Sequence, residues 1–159
     1  MSKRSFPKSM SRSTARLAAV QACYSIELTG QPAIEAVPEH VGRRFAGLLD
    51  GEEIPPIETP FFEKLVLGEA GERKIVDDML ANALGQKNPL EGLEIVLRAI
   101  LRLGAFELLS LEDVPAKVAI AEYVRMTEDY FTGSEPGLVN AVLDRVARTL
   151  RPDEFETKD

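Results

Sequence analysis

Apolar positions recur at helical spacing along nearly the whole chain. In "STARLAAVQACYSIELTG", Leu17, Val20, Tyr24 and Leu28 follow one another at intervals of three, four and four residues, which predicts an amphipathic helix. Ser11 or Ser13 is placed to cap its start and Gly30 to end it. A weaker helical pattern runs through "AIEAVPEHVGRRFAGLLD", where Pro38 predicts a break or kink. "DGEEIPPIETP" reads as a loop, and Thr59 followed by Pro60 as a helix start. The pattern then continues through "FFEKLVLGEAGERKIVDDMLANAL", interrupted near Gly68 and Gly71, to a boundary at "GQKNP". Asn88 and Pro89 open a long helix, Leu90 to Leu109. Its Leu93, Val96, Leu97, Ile100, Leu101 and Leu108 leave little polar face, so it belongs at the centre of a bundle. Pro115 starts a further helix to about Phe131. Ser134 caps the last, with Leu138, Val139, Val142, Val146 and Leu150 on one stripe. No strand-like alternation competes. The expectation is all-α, six or seven helices in two packed bundles. A flexible basic arm (1–11) precedes one helical domain (12–151, halves about 12–85 and 88–151) and a C-terminal tail (152–159).

Composition narrows the class. A chain of 159 residues, 45% apolar and 28% charged, can bury a substantial core as one globular domain. Cys23 is the single cysteine, which excludes an intramolecular disulfide and fits a reducing compartment. The basic N-terminus is followed by Ser, Pro and Arg rather than an apolar core, and no run of ~18 apolar residues occurs. Neither a secretory signal nor a membrane span is expected, and the location expected is cytoplasmic. The net charge of −7 is unevenly spread: the first sixteen residues hold Lys3, Arg4, Lys8, Arg12 and Arg16 and no acid. The other fourteen Lys and Arg face twenty-six Asp and Glu, a balance of −12. An acidic body therefore carries a basic arm, which is either a solvated tail or a segment ordered by an anionic partner.

The residues for catalysis are missing. His40 is the only histidine, beside Pro38 and Glu39, and reads as a surface residue; Cys23, next to Ala22, reads as a small core residue. No phosphate-binding glycine loop or metal-ligand motif is present. Asp77–Asp78 and Glu128–Asp129 are adjacent acids on helices, whose side chains point in different directions. No enzyme, cofactor or metal site is expected. Glu94, Arg98 and Arg102, four apart, form a polar row on the long helix, and Glu107 lies on another edge. Arg102 is expected to pair with Glu122 on the next, antiparallel helix as a structural ion pair.

Four blocks occur in order: "ARLAAVQACY" after the basic arm, "AILRLGAFELL", "DVPAKVAIAEYV" and "LVNAVLDRVA". Together they cover nearly the whole chain, least between Gln31 and Pro60, and resemble the NusB family of transcription antitermination factors. That resemblance implies an all-helical fold of two bundles. It also implies binding of boxA-type single-stranded RNA in nascent ribosomal RNA together with NusE, a small ribosomal protein. The complex helps RNA polymerase read through terminators. Lys3, Arg4, Lys8, Arg12 and Arg16 are the cations suited to phosphates, the last two four apart on one helix edge. Gln21 and Tyr24 match the family's motif for a base or a protein partner, although Tyr24 equally fits the apolar stripe. By the same resemblance Ser134 and Leu138 border the RNA and NusE surfaces, and Glu91 and Arg98 face the protein partner. The chain also departs from the family pattern. Ser13 and Thr14 thin the arginine run, which predicts dependence on NusE; Leu138 replaces a common aromatic, Ala141 a Gly, Leu97 an acid and Ala121 an Asn.

Two rivals stand beside this reading. The helical domain also resembles the RNA-binding part of certain ribosomal RNA cytosine methyltransferases, but those need an α/β domain for which this length leaves no room. A protein-only helical adaptor, its arm a plain tail, fits the composition. Either bundle can also hide an apolar edge in a homodimer.

Overall fold

The computed structural model describes residues 8–46 and 57–156, with the side chains of residues 9 and 42–46 left undescribed. Seven α-helices and two short 3-10 turns occur among these residues, and no strand. The chain divides into two compact units, residues 1–70 and 71–159. The expected boundary near 85–88 thus lies one helix too late, because α4 (Arg73–Leu84) packs against helices of the second unit.

In the first unit, α1 (Lys8–Thr29) packs on α2 (Ala33–Ala46). The helix starts earlier than expected. The hydroxyls of Ser11 and Thr14 donate back to the carbonyls of Lys8 and Met10, each at 2.9 Å, so they bind helix interior instead of capping it. Residues 8–11 therefore belong to the helix rather than to a flexible arm. Gly30 ends it as expected, at φ 74°, with its N–H on the Ile26 carbonyl at 2.8 Å.

The buried face of α1 is not the large-residue stripe. Val20 is 1% exposed, but Tyr24 is 38% and Leu28 57% exposed. Ala15, Ala18, Ala19 and Ala22 are the residues enclosed, at the i, i+3, i+4, i+7 spacing of a helix face, and their small side chains allow a close neighbour. α2 runs through Pro38, and α3 (Thr59–Gly71) starts where the Phe62 N–H bonds the Glu58 carbonyl at 3.0 Å.

In the second unit, α5 (Ile95–Ser110) packs against α4, α6 (Ala116–Tyr130) and α7 (Glu135–Leu150). Its central place was legible from its apolar girth; its start was not. Leu90–Gly92 form a 3-10 turn, and Leu93 and Glu94 are extended, so the α-helix begins five residues after Leu90. Arg98 holds this junction, its Nη1 donating to the Glu91 carbonyl at 3.0 Å and the Leu93 carbonyl at 2.9 Å. Gly104 lets α5 approach α7: a Cβ there would stand 2.7 Å from Leu143 Cδ1. At the other end Pro152–Phe155 form a second 3-10 turn. Glu154 Oε1 accepts the Ala116 N–H at 2.8 Å, so this part of the expected tail is built into the unit.

Candidate nucleic-acid interface

Each unit carries its own share of the expected contact residues. In the first, Lys8 is exposed in the opening turn of α1, and Lys3 and Arg4 lie outside the described residues. One turn on, Arg12 Nε donates to Glu58 Oε2 at 3.0 Å, and the guanidinium carbon stands 4.8 Å from the centre of the Phe61 ring. The Arg12 and Glu58 side chains are 20% and 25% exposed. Arg16 covers the same ring at 5.1 Å but is only 3% exposed. Phe61 is thus a shelf for two cations. The expected basic edge shrinks accordingly: Arg12 keeps an open side, whereas Arg16 is part of the packing.

Gln21 and Tyr24 are exposed but lie elsewhere on the helix. At 3.6 residues per turn, Gln21 is rotated roughly 180° from Arg12 and Tyr24 about 120°. α1 therefore presents two patches, a cationic one beside Phe61 and an amide–phenol one on its outer side, in place of one continuous strip. Tyr24, at 38% exposure, lies outside the core, so its ring and hydroxyl are open to solvent.

In the second unit, Ser134 occupies the residue before α7, but its hydroxyl makes no capping bond; its carbonyl accepts the Leu138 N–H at 3.1 Å. Leu138 is half-buried and offers an apolar edge. Glu91 is exposed, while Arg98 is engaged with the carbonyls before α5. Arg102, expected to pair with Glu122, grips Asp77 of α4 through two bonds, Nε–Oδ1 at 2.9 Å and Nη2–Oδ2 at 3.1 Å. Glu122 accepts from Arg125, three residues along its own helix, at 2.6 Å. The facing acid on α4 lies twenty-five residues upstream of Arg102, a proximity that helical spacing does not reveal.

His40 donates from Nδ1 to the Ala36 carbonyl at 3.0 Å on its own helix, and Cys23 is half-buried. Among the described residues no cluster of His, Cys, Asp or Glu could hold a metal ion, and no helix is long and apolar enough to cross a membrane. Two further polar groups, Glu107 and Arg151, are buried. Glu107 accepts the Tyr123 hydroxyl at 2.9 Å, and Arg151 reaches four carbonyls around the end of α5.

Among the described residues, these features belong to an all-helical fold with polar and cationic side chains on its surface. A model of the NusB family matches residues 13–148. A transcription antitermination protein NusB from Maricaulis maris (strain MCS10) is 43% identical over 144 residues, covering 91% of this chain and 90% of that protein. One from Sinorhizobium fredii (strain NBRC 101917 / NGR234) is 41% identical over 140 residues, covering 88% of each. The chain belongs to the NusB family, a family of non-enzymatic transcription antitermination factors. The fold agrees. T. maritima NusB superposes with a TM-score of 0.75 at 24% identity, over 97% of this chain and 100% of that one. A chain from a complex of antitermination factors NusB and NusE with dsRNA gives 0.72 at 22% identity, over 87% of this chain and 97% of that one.

Proposed function

We propose that this protein is the RNA-binding antitermination factor of its cell, acting in the cytoplasm on the boxA element of nascent ribosomal RNA together with NusE. RNA polymerase carrying this assembly reads through terminators. The observation that carries the reading is the α1 surface of a NusB-family chain: Lys8 and Arg12 at its start, with Gln21 and Tyr24 exposed further along. Cations hold phosphates without regard to sequence, whereas an amide and a phenol can bond and stack on unstacked bases. An RNA strand touching both patches turns about a third of the way round α1 while advancing about 18 Å, three to four helical turns. Lys3 and Arg4 extend the phosphate track in this reading. Arg16 supports the shelf on which Arg12 rests. Ser134, Leu138 and Glu91 supply the contacts to NusE, and Arg98 shapes that surface by holding the turn before α5.

Fluorescence anisotropy with a labelled boxA-type RNA and a scrambled control, with and without NusE, tests this. The boxA strand should bind more tightly than the control, more so with NusE, and Arg12→Ala should weaken both RNAs while leaving the boxA preference in place. Negligible binding of both RNAs even with NusE present would make the protein a helical adaptor for proteins alone.

A further inference from the structure

Arg12 is the cation of α1 best placed for a phosphate, and it is already engaged by an acid of this same chain. Glu58 Oε2 takes the Arg12 Nε–H at 3.0 Å. Chance does not hold the two together. The Glu58 N–H donates to the Ser11 carbonyl at 3.2 Å, which ties its backbone to α1 one residue before Arg12. Its own carbonyl accepts the Phe62 N–H at 3.0 Å, which joins it to the first turn of α3. Phe61, 4.8 Å from the Arg12 guanidinium, keeps the cation over a fixed ring. The carboxylate is thus delivered to Arg12 by main-chain bonds on both sides, while a quarter of it and a fifth of the arginine remain open to solvent.

We propose that Glu58 is a built-in competitor for RNA phosphate at Arg12, and so sets the threshold that any RNA must exceed to occupy the α1 surface. The inference rests on the RNA-binding reading above. A phosphate approaching Arg12 must displace a carboxylate of the same charge, or share the guanidinium with it at the cost of like-charge repulsion. The Phe61 shelf keeps Arg12 from swinging away to avoid the choice. Since phosphate contacts carry no sequence information, the competition weakens every RNA by a similar factor. A strand that also gains base contacts at Gln21 and Tyr24 still binds; one held by phosphates alone falls below the threshold.

The test is a double-mutant cycle on the full chain: wild type, Glu58→Gln, Arg12→Ala and the combination, each titrated with boxA-type and scrambled RNA at two salt concentrations. Glutamine keeps the length and removes the charge. Glu58→Gln should tighten both RNAs about two- to fivefold, as expected for loss of one partly exposed ion pair. Their ratio should hold, and the gain should shrink at the higher salt, which screens the wild-type pair. In the Arg12→Ala background the same substitution should do nothing. A gain that persists without Arg12 would make Glu58 a general repulsive charge, and an unchanged affinity in Glu58→Gln while Arg12→Ala weakens RNA would remove it from the interface; either overturns the competitor. If no variant binds RNA with or without NusE, the RNA-binding reading itself fails. Thermal melts by circular dichroism establish that each variant keeps the helical fold, and Glu58→Asp, which retains the charge, provides a second folded comparison that should remain near wild type.

Discussion

Tyr123 is fully enclosed, and so is Glu107, the carboxylate that its hydroxyl reaches at 2.9 Å. A buried carboxylate loses its water shell, so each donor aimed at it matters more than it would at the surface. Tyr123→Phe removes one donor and almost no volume. It should lower the unfolding free energy by about 1–3 kcal/mol, seen in urea titration as a lower midpoint at unchanged slope. A midpoint equal to wild type would mean that the carboxylate's other contacts satisfy it alone. Arg16 teaches a related point for the interface. At 3% exposure, stacked on Phe61, its substitution by Ala removes packed side chain as well as charge, so weakened RNA binding in that variant would report damage to the shelf. Arg12, with its open side, is the residue through which to probe the contact.

At the scale of whole elements, several helices are finished by side chains remote in sequence. No capping side-chain bond is made by the residues preceding α4, α5, α6 or α7. Instead Glu154 meets the first N–H of α6, and Arg145 donates to the Ala83 carbonyl in the last turn of α4 at 2.7 Å. Arg151 gathers the end of α5: its guanidinium donates to the carbonyls of Glu107, Leu108, Leu111 and Val114 at 2.6–3.2 Å. The planar fork suits this task as an ammonium does not. Arg151→Ala should cost about 2–4 kcal/mol in chemical denaturation by leaving buried carbonyls without donors, and Arg151→Lys should recover only part of that. Full recovery by lysine would reduce the residue to a charge near a helix end. These long-range caps also explain what the sequence disclosed and what it withheld. Helical period and breakers placed α5 at the centre, ended α1 at Gly30 and opened α6 after Pro115, because such signals are local. The start of α5, the acid facing Arg102 and the burial of Arg16 depend on residues from five positions away to forty or more, and no spacing rule carries that information. For the candidate site, residue types and order along α1 were legible, but the orientation was not. The alanine face took the core and left Tyr24 and Leu28 outside.

For the molecule as a whole, charge is unevenly divided along the chain. Outside the first sixteen residues the balance is −12, and within them it is +5. Attraction to a polyanion then depends on few cations, and their number is measurable without locating each one. For single strands the logarithm of the binding constant falls with the logarithm of salt concentration at about −0.7 per phosphate contact. Deleting residues 1–7 removes Lys3 and Arg4 and keeps Lys8, where α1 begins. If both cations meet phosphates, the slope for boxA-type RNA should become shallower by about 1.4, with affinity falling most at low salt. The discrimination between boxA and scrambled RNA should survive if, as proposed, base contacts fall to Gln21 and Tyr24. An unchanged slope would confine RNA recognition to the helical body and leave the arm a solvated tail. A lost preference for boxA would instead assign base reading to the arm, against the division of labour along α1.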